Sequence, residues 1–305
     1  MKSPLRIAAF RSIAMGFHAI AALLFALVAI SPAYAQKVFA SPEAAMNAFG
    51  DAVATSNEEA LTSILGAERR KLIPPVGDEI RLRFLSHWAR SHSIKQVDDK
   101  HAEIVVGDDG WTMPIPIVKS AKGWQFDTRA GVEQMRVRRV GRNELAVMQT
   151  MLAIYDAQRE YAQKDRDGSG VLAYAAKLAS SPGKHDGLYW PTQPGEEPSP
   201  LGPAFLRVGS RATSPDGYFG YRYKLLTAQG PNAPGGAYSY VVKGKLFGGF
   251  AVIAWPAHYR DSGVKSFMIS HDGEVYEANL GPDSEAKALA MKSFDPGPDW
   301  AKVSP

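Results

Sequence analysis

Two short stretches carry residue types that could do chemistry. The first is Asp165-Arg166-Asp167-Gly168-Ser169-Gly170. Alternating acids followed by glycine resemble the start of a calcium loop. Such a loop needs oxygen ligands at positions 1, 3 and 5, glycine at 6 and a bidentate glutamate at 12. With Asp165 first, Asp167, Ser169 and Gly170 are correctly spaced, but position 12 is Ala176. A calcium site here would use Asp165, Asp167 and Ser169 and would be weak for want of that glutamate. The same residues also suit a helix end, since Gly168 and Gly170 permit left-handed backbone and aspartate favours turns. The turn is the expectation, calcium the alternative, and no other cofactor is expected.

The second stretch is "HYRDSG", with His258, Asp261 and Ser262 on a loop after an apolar strand. Loops carry function more often than cores do. A hydrolase would need serine, histidine and acid in a relay, and these three are its candidates. No nucleophile elbow is present: "DGSGV" imitates the motif without a strand before it. No HExxH or close histidine pair suggests a metal centre. The glycine-rich run from Gly230 to Tyr238 lacks the Gly-Lys-Ser/Thr of a phosphate cradle. The chain has no cysteine, which excludes disulfides, a thiol nucleophile, a cysteine-linked lipid anchor and cysteine-ligated metal.

The elements that must position these residues follow from periodicity. Residues 41–66 suggest two helices, the first capped by Ser41 with Pro42 in its first turn, the second capped by Ser56 with Leu61, Ile64 and Leu65 inward. Asp78 to Ser93 form an amphipathic helix with Ile80, Phe84, Leu85 and Trp88 as its stripe. The period then becomes two, with turns at Asp109-Gly110 and Lys122-Gly123, as in an antiparallel meander. A long spine helix is predicted from about Arg142 to Lys164, with Leu145, Met148, Leu152 and Tyr155 on one apolar seam and Val147, Met151, Ile154 and Tyr161 on a second beside it. The basic run Arg136 to Arg142 before it is expected to be solvated or to meet acidic partners. Residues 181–217 hold seven prolines, yet Tyr189, Trp190, Phe205 and Leu206 argue for an ordered excursion over the next sheet. From 218 on the chain alternates as strands, Asp272-Gly273 marks a hairpin, and a last helix follows Asp283 with Ala286, Leu289 and Ala290 inward.

The fold class is therefore α+β, with an N-terminal domain over 36–135 and a C-terminal domain over 136–305. Residues 1–35 are expected to be a signal peptide. Lys2, Arg6 and Arg11 precede the apolar run Gly16–Ile30, and Ala33-Tyr34-Ala35 supplies a small-x-small cleavage site. The apolar run is shorter than the roughly 20 residues of a membrane span. The formal charge of +4 falls to about +1 once these three bases are removed, so nucleic acid is not an expected partner.

Three stretches, "AIYDAQREYAQKDRDGSG", "YRYKLLTAQGPNAPGGAYSYVVKGKLFGGFAVIAWPAHY" and "SGVKSFMISHDGEVY", resemble the uncharacterised bacterial secreted family called domain of unknown function 2950. The resemblance covers the mature chain and implies compartment and architecture, with no chemistry attached. Residues 142–280 are also similar to type IV pilin heads, in which a spine helix packs on an antiparallel sheet. Pilins continue an apolar N-terminal helix into the spine, and this chain does not. Together these features lead to the expectation of a periplasmic or secreted protein, cleaved near Ala35, without a membrane span. It would bind or assemble with an envelope protein or polymer; a hydrolase built on His258, Asp261 and Ser262 is the alternative.

Overall fold

The computed structural model describes residues 36–67, 69–72, 77–203 and 215–304. The expected signal segment, Pro74-Pro75, Phe205 and Leu206 lie outside them. Helix α1 (Pro42–Ala54) starts where the Ser41 hydroxyl accepts the Ala44 N–H at 3.2 Å. Helix α2 (Glu58–Leu65) is capped by Asn57, which accepts the Ala60 N–H at 2.9 Å, and not by the expected Ser56. Ser56 sits at φ 52° in the turn between the helices, so it cannot occupy the extended capping position. Helices α3 (Arg69–Leu72) and α4 (Asp78–Arg90) follow.

Strands β1 (His92–Asp98), β2 (His101–Val106), β3 (Trp111–Thr112), β4 (Ile117–Ser120) and β5 (Gly123–Phe126) form an antiparallel sheet in the order β1-β2-β4-β5, with β3 also paired to β2. Period-two alternation puts Ala102, Ile104 and Val106 of β2 inward, against Phe49 of α1 and Ile64 of α2.

Helix α5 (Thr128–Tyr161) has 34 residues and so a length of about 51 Å. It begins fourteen residues before the predicted start, where Asp127 accepts the Ala130 N–H at 2.8 Å. It passes without a break through residues 135 and 136, where the two expected domains meet. Its first turns belong to the N-terminal core. Met135 packs there, and Thr128 donates to the Leu65 carbonyl at 2.5 Å. From Val147 onward it packs on a second sheet.

That sheet uses β6 (Tyr221–Leu226). Short strands β7 (Ala228–Gln229), β8 (Tyr238–Ser239), β9 (Val241–Val242) and β10 (Lys245–Leu246) precede β11 (Ala251–Pro256), β12 (Ser266–Ser270) and β13 (Val275–Ala278). Helix α6 (Ser284–Ala290), β14 (Ser293–Phe294) and β15 (Ala301–Val303) complete the chain. The main sheet is antiparallel in the order β15-β13-β12-β11-β6. Its centre is covered on both faces, which is why β11 is continuously apolar. Val252, Ala254 and Phe267 meet Val147, Met151 and Ile154 of α5, while Ile253, Trp255 and Met268 join Tyr240, Ala288 and Phe294. On α6 the buried face is Ser284 and Ala288; Ala286, Leu289 and Ala290 point outward, contrary to expectation.

The described part of the proline-rich segment is ordered by its aromatic residues. Leu188, Tyr189, Trp190 and Leu201 sit in the helix–sheet core. Its base is closed by Asp186, which accepts from the Lys177 ammonium at 2.8 Å and the Ser181 N–H at 2.7 Å. Burial pushes the Asp186 carboxyl up, but these donors outweigh it and hold the pKa at about 2. A depressed folded pKa gives stability that is present above the ordinary carboxylate value and lost as pH falls toward the folded one. Between about pH 4.5 and pH 2, wild type should therefore lose more stability than Asp186→Asn in urea denaturation. Parallel curves for the two proteins would contradict this.

Candidate functional site

The six residues from Asp165 to Gly170 lie just beyond the end of α5. Asp165 accepts the Ser169 N–H at 2.9 Å and the Gly170 N–H at 2.7 Å through its two oxygens. Asp167 accepts the Ser169 N–H at 3.2 Å with one oxygen and the Lys245 ammonium with the other. The Lys245 hydrogen bond, followed by that of Ser169, lowers the Asp167 pKa. Gly168 and Gly170 take φ of 70° and 79°, as the turn requires. Both carboxylates are thus engaged by the loop and by β10. Among the described residues no group of three or more His, Cys, Asp or Glu could hold a metal ion. Between the two acids, the Arg166 side chain is buried with its guanidinium over the rings of Tyr161 and Trp190, at 5.9 and 5.6 Å, and pairs with Glu197 at 3.2 Å. The hexapeptide fastens the proline-rich segment to the end of α5.

His258, Asp261 and Ser262 share a loop, but their side chains go to different partners. The Ser262 hydroxyl accepts the His258 N–H at 2.9 Å and donates to the His258 carbonyl at 3.1 Å. It therefore touches the backbone of His258 and makes no bond to its ring. The imidazole Nε2 lies 3.0 Å from Asp216, and both side chains are well exposed. Asp261 pairs with Arg139 of α5. No relay from serine through imidazole to acid is assembled from these three.

The loop instead grips the middle of α5. Asn143 donates to the Ser262 carbonyl at 2.8 Å, and one Glu144 oxygen accepts the N–H groups of Val264 and Lys265 at 2.8 and 3.0 Å. Arg136 donates to the Arg260 carbonyl. Gly263 lies so close to Tyr221 that an added Cβ would stand 2.0 Å from the phenol oxygen. The basic run before Arg142 is absorbed in the same way. Arg136 pairs with Glu133, Arg138 donates to Thr112 of β3 at 2.6 Å, and Arg139 pairs with Asp261.

A feature that sequence reasoning missed lies in the N-terminal half. A cavity of about 660 Å³ opens between α1, α2, α4, the β3–β4 segment and the first turns of α5. Phe49, Leu61, Phe84, Met113, Ile115 and Met135 are among its walls. Ile80 and Trp111, also in its lining, are 48% and 44% exposed. Its charged groups are Glu58, Arg69, Arg70, Asp78 and Arg81. Arg69 is buried, donates to the Thr62 hydroxyl at 2.7 Å and shares Glu58 with Arg70. Arg81 pairs with Asp78 at 3.2 Å. The signal in the sequence is the apolar stripe of α4; in the structure that helix has no fully buried residue.

These features define an α+β protein whose two cores share one helix, with an apolar cavity in the first core. The family model described as "Protein of unknown function (DUF2950)" matches residues 36–303, and the chain belongs to that family. No curated protein and no solved structure gives a significant match.

Two outcomes follow from this geometry. Glu144→Ala strips two backbone N–H groups of their acceptor and should cost about 1–3 kcal/mol in chemical denaturation. Glu144→Gln, which keeps an acceptor oxygen, should lose much less; equal losses would contradict the hydrogen-bond explanation. Because the acids of the hexapeptide are already paired, added calcium or EDTA should leave the melting temperature unchanged. A saturable rise with calcium would show that the loop binds the ion.

Proposed function

We propose that the protein is exported, loses residues 1–35 by cleavage near Ala35, and works in the periplasm or outside the cell as a non-catalytic binding or assembly protein for an envelope component. The order of basic residues, apolar run and small-x-small site in residues 1–35 supports export. Among the described residues no helix is long and apolar enough to cross a membrane.

The observation that favours binding over turnover is the fate of Ser262. A nucleophile needs its hydroxyl held by a base, and this hydroxyl is held at both ends by the backbone of His258. The open apolar cavity offers a place to hold a ligand, and such cavities are where small ligands usually bind. Nucleic acid is not part of the proposal. Arg136, Arg138 and Arg139 of the basic run have partners within the protein, and little excess charge remains after cleavage.

Mass spectrometry of the exported protein should give an N-terminus at Gln36. In a panel of ester, amide, phosphate and glycoside substrates, wild type and Ser262→Ala should both stay at background. Retention of residues 1–35 would overturn the export half of the proposal, and turnover that disappears in Ser262→Ala would overturn the non-catalytic half.

A further inference from the structure

We infer that the cavity beside Phe84 and Trp111 takes an amphiphile with a linear acyl chain and an anionic head, a long-chain carboxylate in chemical class. This rests on the binding role proposed above and names its ligand.

The volume of about 660 Å³ lies in the range of small-ligand sites. The body of α4, the β3–β4 segment and α5 contribute Phe84, Met113, Ile115 and Met135, none of which can hydrogen-bond a sugar or a peptide strongly. A flexible hydrocarbon chain asks for nothing more than such walls. Ile80 and Trp111, large side chains left half in water, gain from being covered by it.

The charged groups set the head. All five come from α2, α3 and the first turn of α4, the elements that also carry Leu61 and Ile80. Three guanidinium groups are served by two carboxylates in the lining, with Glu58 divided between Arg69 and Arg70. Among the described residues of the lining, one positive charge is left over. A guanidinium matches a carboxylate with two parallel hydrogen bonds, and it repels a cationic head. An anionic head on an acyl chain is the one ligand that answers both parts of the lining.

The test is calorimetric titration of the purified protein with dodecanoate, dodecanol and dodecyltrimethylammonium, all below their micellar concentrations. Dodecanoate should bind about tenfold or more tightly than dodecyltrimethylammonium, the factor set by a charge-assisted pair. The double variant Arg70→Gln/Arg81→Gln should lose that preference while keeping dodecanol binding. Ile80→Gln, a neutral change at a half-exposed position, should weaken all three. Equal affinity for the three heads, or an unchanged preference in the arginine variant, would overturn the anionic head and leave a binding role intact. Absence of binding by all three would overturn the cavity as an acyl site. Cleavage of a dodecanoyl ester by the protein would instead overturn the non-catalytic role on which the inference rests.

Discussion

The fold depends on one long helix being shared by two cores. Over 34 residues α5 changes neighbours, from the meander sheet at Met135 to the five-stranded sheet at Val147. Between those points it has no broad apolar stripe to bury. A helix that is polar all round must be held by side-chain pairs. The chain supplies them from the 258–265 loop, more than a hundred residues away: Asp261 for Arg139, a carbonyl for Asn143, and two N–H groups for Glu144. Each exposed pair contributes little by itself. The two N–H groups on Glu144 matter more, because partly buried donors without an acceptor are costly.

Both candidate chemical sites turn out to serve this architecture. The acids of the 165–170 hexapeptide accept N–H groups of their own turn, which frees Arg166 to sit between Tyr161 and Trp190 and fix the proline-rich segment. Ser262 closes a turn on the backbone of His258 so that the following residues can reach Glu144. Aspartate, serine and glycine are the residues of active sites and also of tight turns, and here hydrogen bonding to local N–H groups decides between the two. The apolar cavity of the N-terminal half has no such structural duty, and there the molecule has room for a ligand.

Much of the fold was legible because its signals are local. Ser41-Pro42 marks a helix start, Leu61, Ile64 and Leu65 share one face and are all buried, and strict alternation exposes β2 and β6. The start of α5 was hidden because residues 128–142 show no period, and Arg138 and Arg139 find their partners in β3 and the 258–265 loop. The face of α6 was misread because alanine carries little directional information. The candidate side chains could be named from their types, but not their partners: Asp216 lies 42 residues from His258, and Arg139 lies 122 from Asp261. The cavity was illegible for a related reason. The stripe of α4 has the same spacing whether its face is covered or left open, and only packing shows that Ile80 stays half exposed.

The most direct measurement is methyl NMR of the protein on addition of dodecanoate. If the cavity of the N-terminal half holds the acyl chain, saturable shifts should be confined to Leu61, Ile80, Met113, Ile115 and Met135, while Val147, Met151 and Ile154 of the second core stay still. Shifts centred on the second core, or none at saturating ligand, would contradict a binding role for the cavity.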